Sequence, residues 1–138
     1  MQIPVIAMQR SITFIGKINS PLRAIGECPL QESEGAPEAE VIIFPEFIEG
    51  AKDIKAGARV LLLTWLHLAD RSIIKCRPRN NQEAPLTGVF STRSPDRPNP
   101  IGVHLVNVIS VNEVGVIKIS ALEVLDQTPV IDIKPVIQ

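Results

Sequence analysis

The segment Gly88-Val89-Phe90-Ser91-Thr92-Arg93-Ser94-Pro95-Asp96-Arg97-Pro98-Asn99-Pro100-Ile101-Gly102 constrains the fold of this chain more than any other. Three prolines fall within six residues, from Pro95 to Pro100. Each fixes its own φ and pushes the residue before it toward extended backbone. The segment therefore cannot be helix, and it is too rigid for a floppy linker. It opens like the end of one strand and closes on Ile-Gly before an alternating apolar run, so it connects two strands. Its free N–H groups need partners. Arg93 and Arg97 bring fork-shaped donors suited to a carboxylate or phosphate. A turn-rich connection with no further role explains the same composition.

With 138 residues the chain is long enough for one domain with a sizeable core. It is rich in Val and Ile, which lean toward sheet, and its 12 prolines argue against a helical bundle. The formal charge of −1 excludes a generally basic nucleic-acid coat. The charge is uneven, however: Arg71, Lys75, Arg77, Arg79, Arg93 and Arg97 face only Glu83 and Asp96, whereas Glu27 to Glu49 is acidic. This is either a local basic face or a solvated strand edge. Cys28 and Cys76 fall short of a disulfide framework or a metal site. The N-terminal apolar run lacks a basic start, and Val60 to Ala69 is too short to span a bilayer. The expected protein is soluble and cytoplasmic, with no membrane contact and no metal.

Along the chain, strands are expected at Ser11–Ile18, at Glu40–Phe44 ended by Pro45, and at Arg59–Leu68, the last buried on both faces. Further strands are expected at Arg71–Arg79, Val103–Val111, Val116–Val124 and Pro129–Ile137. In Val103–Val111, Val103, Leu105 and Asn107 alternate against His104, Val106 and Val108. Glu46–Ile54 suits one or two helical turns, residues 22–39 form a loop, and Asn112-Glu113-Val114-Gly115 suits a hairpin. Several short strands with few helices point to a mainly β fold, a small single-domain barrel over residues 1–138. No Gly-rich phosphate loop follows a strand and opens a helix, so a Rossmann site is not expected.

His67 and His104 carry no metal-ligand spacing. His67, inside an apolar run, is more readily a hydrogen-bonded core residue than a catalyst. Ser91 and Ser94 have no elbow motif or base. The stronger cluster is polar groups at strand ends: Arg93 and Arg97, Glu123 and Asp126, Asp132 and Lys134. Asp132 and Lys134 alternate with Ile131, Ile133 and Pro135 and should face one side together. A salt-bridged barrel mouth explains them equally well.

Gly88 to Gly102 closely resembles the signature GVFATRSPxRPNPIG of the TrmO/TsaA-like family. Further pieces follow in the family's order. Ile15-Gly16-Lys17-Ile18-Asn19-Ser20-Pro21 resembles its opening GxIxSP, Cys28-Pro29-Leu30-Gln31 its PxQ loop, and Trp65-Leu66-His67 its WxH strand end. The stretch from Leu125 to Pro135 resembles DGTPxxDIKP. The resemblance implies a small β-barrel methyltransferase that uses S-adenosylmethionine without a Rossmann fold, as a homodimer with the site near the interface. It implies action on threonylcarbamoyl-adenosine beside the tRNA anticodon. It places Pro29, Leu30, Gln31, His67, Arg93, Val103 and Glu123 around the cofactor. Asp126, His67 or Asp132 would accept the proton of the methylated nitrogen, Asp126 being favoured because it sits in the matching motif. Arg97, Asn99 and Lys134 would bind substrate, and the cations from Arg71 to Arg97 would hold tRNA phosphates.

The chain departs from the family at four places. Asn19 replaces an Arg, Asp96 stands where an aromatic or Asn is common, Gln127 replaces the Gly of DGTP, and Val136 replaces a Tyr. A turn needing positive φ at Gln127 would hold a residue that resists it. The chain ends at Gln138, so the C-terminal domain of some members is expected to be absent. The alternatives are a cofactor-binding regulatory module that has lost transfer and a purely structural dimerisation barrel.

Overall fold

The computed structural model describes residues 9–22, 37–78 and 81–137. Eight strands run in chain order: β1 Gly16–Asn19, β2 Ala39–Ile43, β3 Arg59–Trp65, β4 Lys75–Cys76, β5 Thr87–Gly88, β6 Ile101–Val111, β7 Val116–Ile119 and β8 Pro129–Pro135. Six of them close into a barrel in the order β1-β2-β7-β6-β3-β8, every neighbouring pair antiparallel. β4 and β5 form a separate two-stranded ladder. The mainly β barrel read from the sequence is the observed architecture.

Period-two alternation fills the interior. Ile18, Val41, Ile43, Val60, Leu62, Val106, Val108, Ile117, Ile119 and Val130 are buried, one in every two residues along their strands. The interior also carries a polar pair, Thr64 and His104, both buried. Their contact leaves no room beside Gly102, where a Cβ would overlap Thr64 Oγ1 and His104 Nε2. Between β6 and β7, Asn112 Oδ1 accepts the N–H groups of Val114 and Val116, and Gly115 takes φ +84 to close the hairpin.

Alternating strand direction fixes what sits at each end. Gly16, Ile43, Arg59, Val111, Val116 and Pro135 share one end, where the 3-10 turn Pro45–Ala51 packs Phe47, Ile48 and Ala51 against the core. Asn19, Ala39, Trp65, Ile101, Ile119 and Pro129 share the other. That second end receives the Pro-rich segment before β6, the turn after β3 and the stretch between β7 and β8.

Several sequence expectations change. β1 starts at Gly16, not Ser11; Ile15 donates its N–H to the Val130 carbonyl and accepts the Phe44 N–H just ahead of the strand. β3 ends at Trp65 and buries one face fully, its other face being half-covered on the outer wall. The strand expected over Arg71–Arg79 shrinks to Lys75–Cys76, because Asp70 Oδ1 captures both the N–H and the hydroxyl of Ser72 and turns the chain. β7 stops at Ile119, although Leu122 and Val124 stay buried beyond it. His67 is exposed in the turn after β3 and is no core residue; the buried histidine is His104. The loop expected over 22–39, with Pro29, Leu30 and Gln31, lies mostly outside the described residues.

Candidate functional site at the barrel rim

The Pro-rich segment is held by its own arginine. Arg97 donates to the carbonyls of Val89 at 2.8 Å, Ser94 at 2.9 Å and Thr92 at 3.1 Å. The planar fork reaches these separated carbonyls from two different nitrogens, which a single ammonium cannot do in this geometry. Arg97 therefore folds the loop before it does anything else. Arg71 ties the loop to the turn after β3, donating to Pro98 O at 2.7 Å and Asn99 Oδ1 at 3.4 Å while its guanidinium lies 5.0 Å over the Trp65 ring. Asp96 Oδ1 accepts the Asp70 N–H at 2.8 Å. The segment therefore comes to the rim as a rigid block joined to His67's turn.

Arg93 is presented differently. It is exposed, and one guanidinium N–H reaches the carbonyl of Val103 at 3.3 Å. That carbonyl lies on an open edge. β7 pairs with β6 only from Val108 onward, and strand alternation turns the main-chain groups of Val103 and Leu105 away from β3. Among the described residues no strand covers this edge. Arg93 and Val103, expected in one site, are thus brought together.

The third wall is the stretch from Ser120 to Thr128. Ser120 exchanges hydrogen bonds with Asn107 on that same side of β6, and the Leu122 N–H reaches Pro37 O. Glu123 and Asp126 follow, both half-buried. Asp126 Oδ1 accepts the Ser20 N–H at 2.9 Å and its own N–H donates to Leu22 O, so this carboxylate staples the stretch to the end of β1. Gln127, next to it, has φ +69. The departure at this position therefore does fall on a turn of positive φ.

Asp132 and Lys134 do face one side, paired at 3.4 Å. A register shift opposite Leu63 and Thr64 puts both on the outer wall, with Asp132 opposite Leu63 and Lys134 opposite Leu61. The loop-built end thus carries His67, Arg93, Arg97, Asn99, Glu123 and Asp126, Val103 stands two residues into β6, and Asp132 and Lys134 lie on the outer wall of β8. Sequence reasoning passed over Thr64 and His104, although the alternation of β6 already put His104 on the Val106 face. It counted Arg71 among the phosphate-binding cations, whereas the structure shows it tying the loop through two contacts that depend on a long-range approach.

The fold is a closed antiparallel barrel with one end built from loops, on which the exposed guanidinium of Arg93 meets the Val103 carbonyl. The model of the tRNA-methyltransferase O N-terminal domain matches residues 17–138, and the chain belongs to this family. A relative from Methanothermobacter thermautotrophicus, named a probable S-adenosyl-L-methionine-binding protein, is 37% identical over 128 residues, covering 93% of this chain and 90% of the relative. An S-adenosyl-L-methionine-binding protein of Archaeoglobus fulgidus is 37% identical over 120 residues, covering 87% of this chain and 84% of the relative. The crystal structure of TrmO from Pseudomonas aeruginosa superposes with a TM-score of 0.72 at 29% identity, over 94% of this chain and 57% of that one. The chain thus spans little more than half of the solved protein.

Proposed function

We propose that this chain binds S-adenosylmethionine at the rim and directs its methyl group to tRNA, with threonylcarbamoyl-adenosine as acceptor. The observation that carries the reading is Arg93 held against Val103 O at the open edge of β6. The residues fit the cofactor. Arg93 offers a charged fork to a carboxylate. The main-chain groups of Leu105 and the N–H of Val103, which no described strand pairs on this side of β6, suit a base edge, and the exposed Val103 side chain offers apolar contact. The family membership and the names of the relatives point the same way.

When bound, the cofactor supplies an electrophilic methyl group on a sulfonium. The protein's part is to align an acceptor nitrogen in line with it and to receive that nitrogen's proton. Asp126 is committed through Oδ1 to Ser20, and Asp132 sits on the outer wall beside Lys134. His67 is exposed at the rim, and imidazole is well suited to pass a proton at neutral pH. We therefore assign proton removal to His67 and the holding of the acceptor wall to Asp126 and Glu123. Arg71, Lys75 and Arg77 lie on the excursion between β3 and β6 that carries the loop, and supply phosphate contacts.

The outer face of β6 exposes Ile101, Val103, Leu105 and Ile109, beside the half-buried Leu61, Leu63 and Trp65 of β3. The apolar stretch from Ile101 to Leu105, next to these β3 side chains, is suited to a second copy of the chain, which would set two rims side by side. Transfer of labelled methyl from S-adenosylmethionine to tRNA bearing threonylcarbamoyl-adenosine tests the whole reading. Transfer lost in His67→Ala, with cofactor binding kept, is the expected result. No transfer by the wild-type chain to that tRNA or to the free nucleoside would overturn it.

A further inference from the structure

Among the described residues, Gln127 is the only non-glycine with positive φ, at +69. It occupies the third position of the turn Leu125-Asp126-Gln127-Thr128, closed by the Thr128 N–H on Leu125 O at 3.2 Å. Negative φ at the second position and positive φ at the third make a type II turn, which calls for Gly or Asn. A residue with a Cβ is held there at a cost.

The scaffold imposes that conformation without help from the side chain. The Gln127 N–H donates to Ile18 O at 2.7 Å, the Asp126 N–H to Leu22 O at 2.7 Å, and the Ile18 N–H to Thr128 O at 2.9 Å. Ser20 N–H binds Asp126 Oδ1 at 2.9 Å, and the Thr128 hydroxyl binds Leu125 O at 2.7 Å. Five contacts fix the turn, and none uses the Gln127 amide. That amide is exposed on the rim, one residue from Asp126 and on the end of the barrel that carries Arg93 and His67. The scaffold needs the positive φ but not a side chain there, so a residue with a Cβ kept where glycine would cost less, on the end that carries Arg93 and His67, points to use of that side chain.

We propose that Gln127 is a specificity-determining residue for the methyl acceptor. Its amide offers a donor and an acceptor side by side. This matches groups that present an N–H next to a C=O or ring nitrogen, namely a urea, an amide or a nucleobase edge. Such paired recognition discriminates strongly, because an analogue lacking one partner leaves the other unpaired. The inference rests on the methyl-transfer reading above.

The test sets stability against acceptor kinetics in Gln127→Gly and Gln127→Asn, using labelled S-adenosylmethionine and tRNA bearing threonylcarbamoyl-adenosine. Gln127→Gly is expected to raise Tm by about 3 °C, to leave cofactor titration unchanged, and to raise KM for the tRNA roughly tenfold. Gln127→Asn, which tolerates the turn and keeps an amide, should recover part of that loss. A purely structural glutamine would move only Tm. Gln127→Gly with wild-type acceptor kinetics overturns this inference alone, whereas a wild-type chain that transfers no methyl group overturns it together with the reading beneath it.

Discussion

His104 Nε2 lies 2.9 Å from Thr64 Oγ1 inside the barrel, on neighbouring strands directly below the rim. Gly102 is pinned against both groups. A hydrogen bond between two buried side chains in an apolar interior is costly to break. Thr64→Val is therefore expected to destabilise the fold by about 2 kcal/mol, read from the urea midpoint. Gly102→Ala, which must push the pair apart, is expected to cost about 2 kcal/mol or more. Equal midpoints for wild type and Gly102→Ala would show that the contact is not tight.

Arg97 should behave as a loop-folding residue. Arg97→Ala removes a donor from three carbonyls, leaving Val89 O with only its Thr92 partners, and should open the segment from Val89 to Pro100 to limited proteolysis. Arg97→Lys should not rescue it, since a point charge cannot span three acceptors. Protection restored by Lys would mean that charge alone holds the loop.

Leu105 stands half-exposed in the middle of the outer apolar face of β6. If that face meets a second copy, Leu105→Glu should give monomers by sedimentation while the circular dichroism of the barrel stays unchanged. A wild-type chain already monomeric at high micromolar concentration would remove this assignment.

Asp70 gives a pH handle on the turn after β3. The hydroxyl of Ser72, and then its N–H, hold the Asp70 carboxyl below the ordinary value of 3.8. A folded pKa below the unfolded one contributes stability above the unfolded pKa, lost as pH falls through the folded one. The turn should therefore stay intact at mildly acidic pH and loosen only below about pH 3.8. Nuclear magnetic resonance titration of the Asp70 carboxyl should show a lowered midpoint that Ser72→Ala moves back up.

The barrel was legible because burial alternates along strands, and Val and Ile write that alternation plainly in β2, β6 and β7. The short span of β4 was not, since what stops a strand near Ser72 is a side-chain capture by Asp70 that resembles any polar pair in sequence. His67 misled for a related reason: the apolar run around it continues past the point where the strand ends at Trp65. The rim itself was half legible. The Pro-rich motif named Arg93 and Arg97 together, but only three-dimensional contacts separate the exposed guanidinium from the one spent on carbonyls. Asp132 and Lys134 were paired correctly, and the register shift that sends them to the outer wall leaves no mark in the local pattern. The positive φ at Gln127 was legible from the departure of that residue from a glycine motif.

The most direct test of the rim as a cofactor site is a calorimetric titration of S-adenosylmethionine into the purified chain, with Arg93→Ala in parallel. Saturable binding by the wild type, lost or weakened at least tenfold in the variant, is the expected result. That loss corresponds to about 1.4 kcal/mol of binding free energy. Wild-type binding that Arg93→Ala leaves unchanged would place the cofactor elsewhere, and a wild type that binds none would contradict the rim assignment outright.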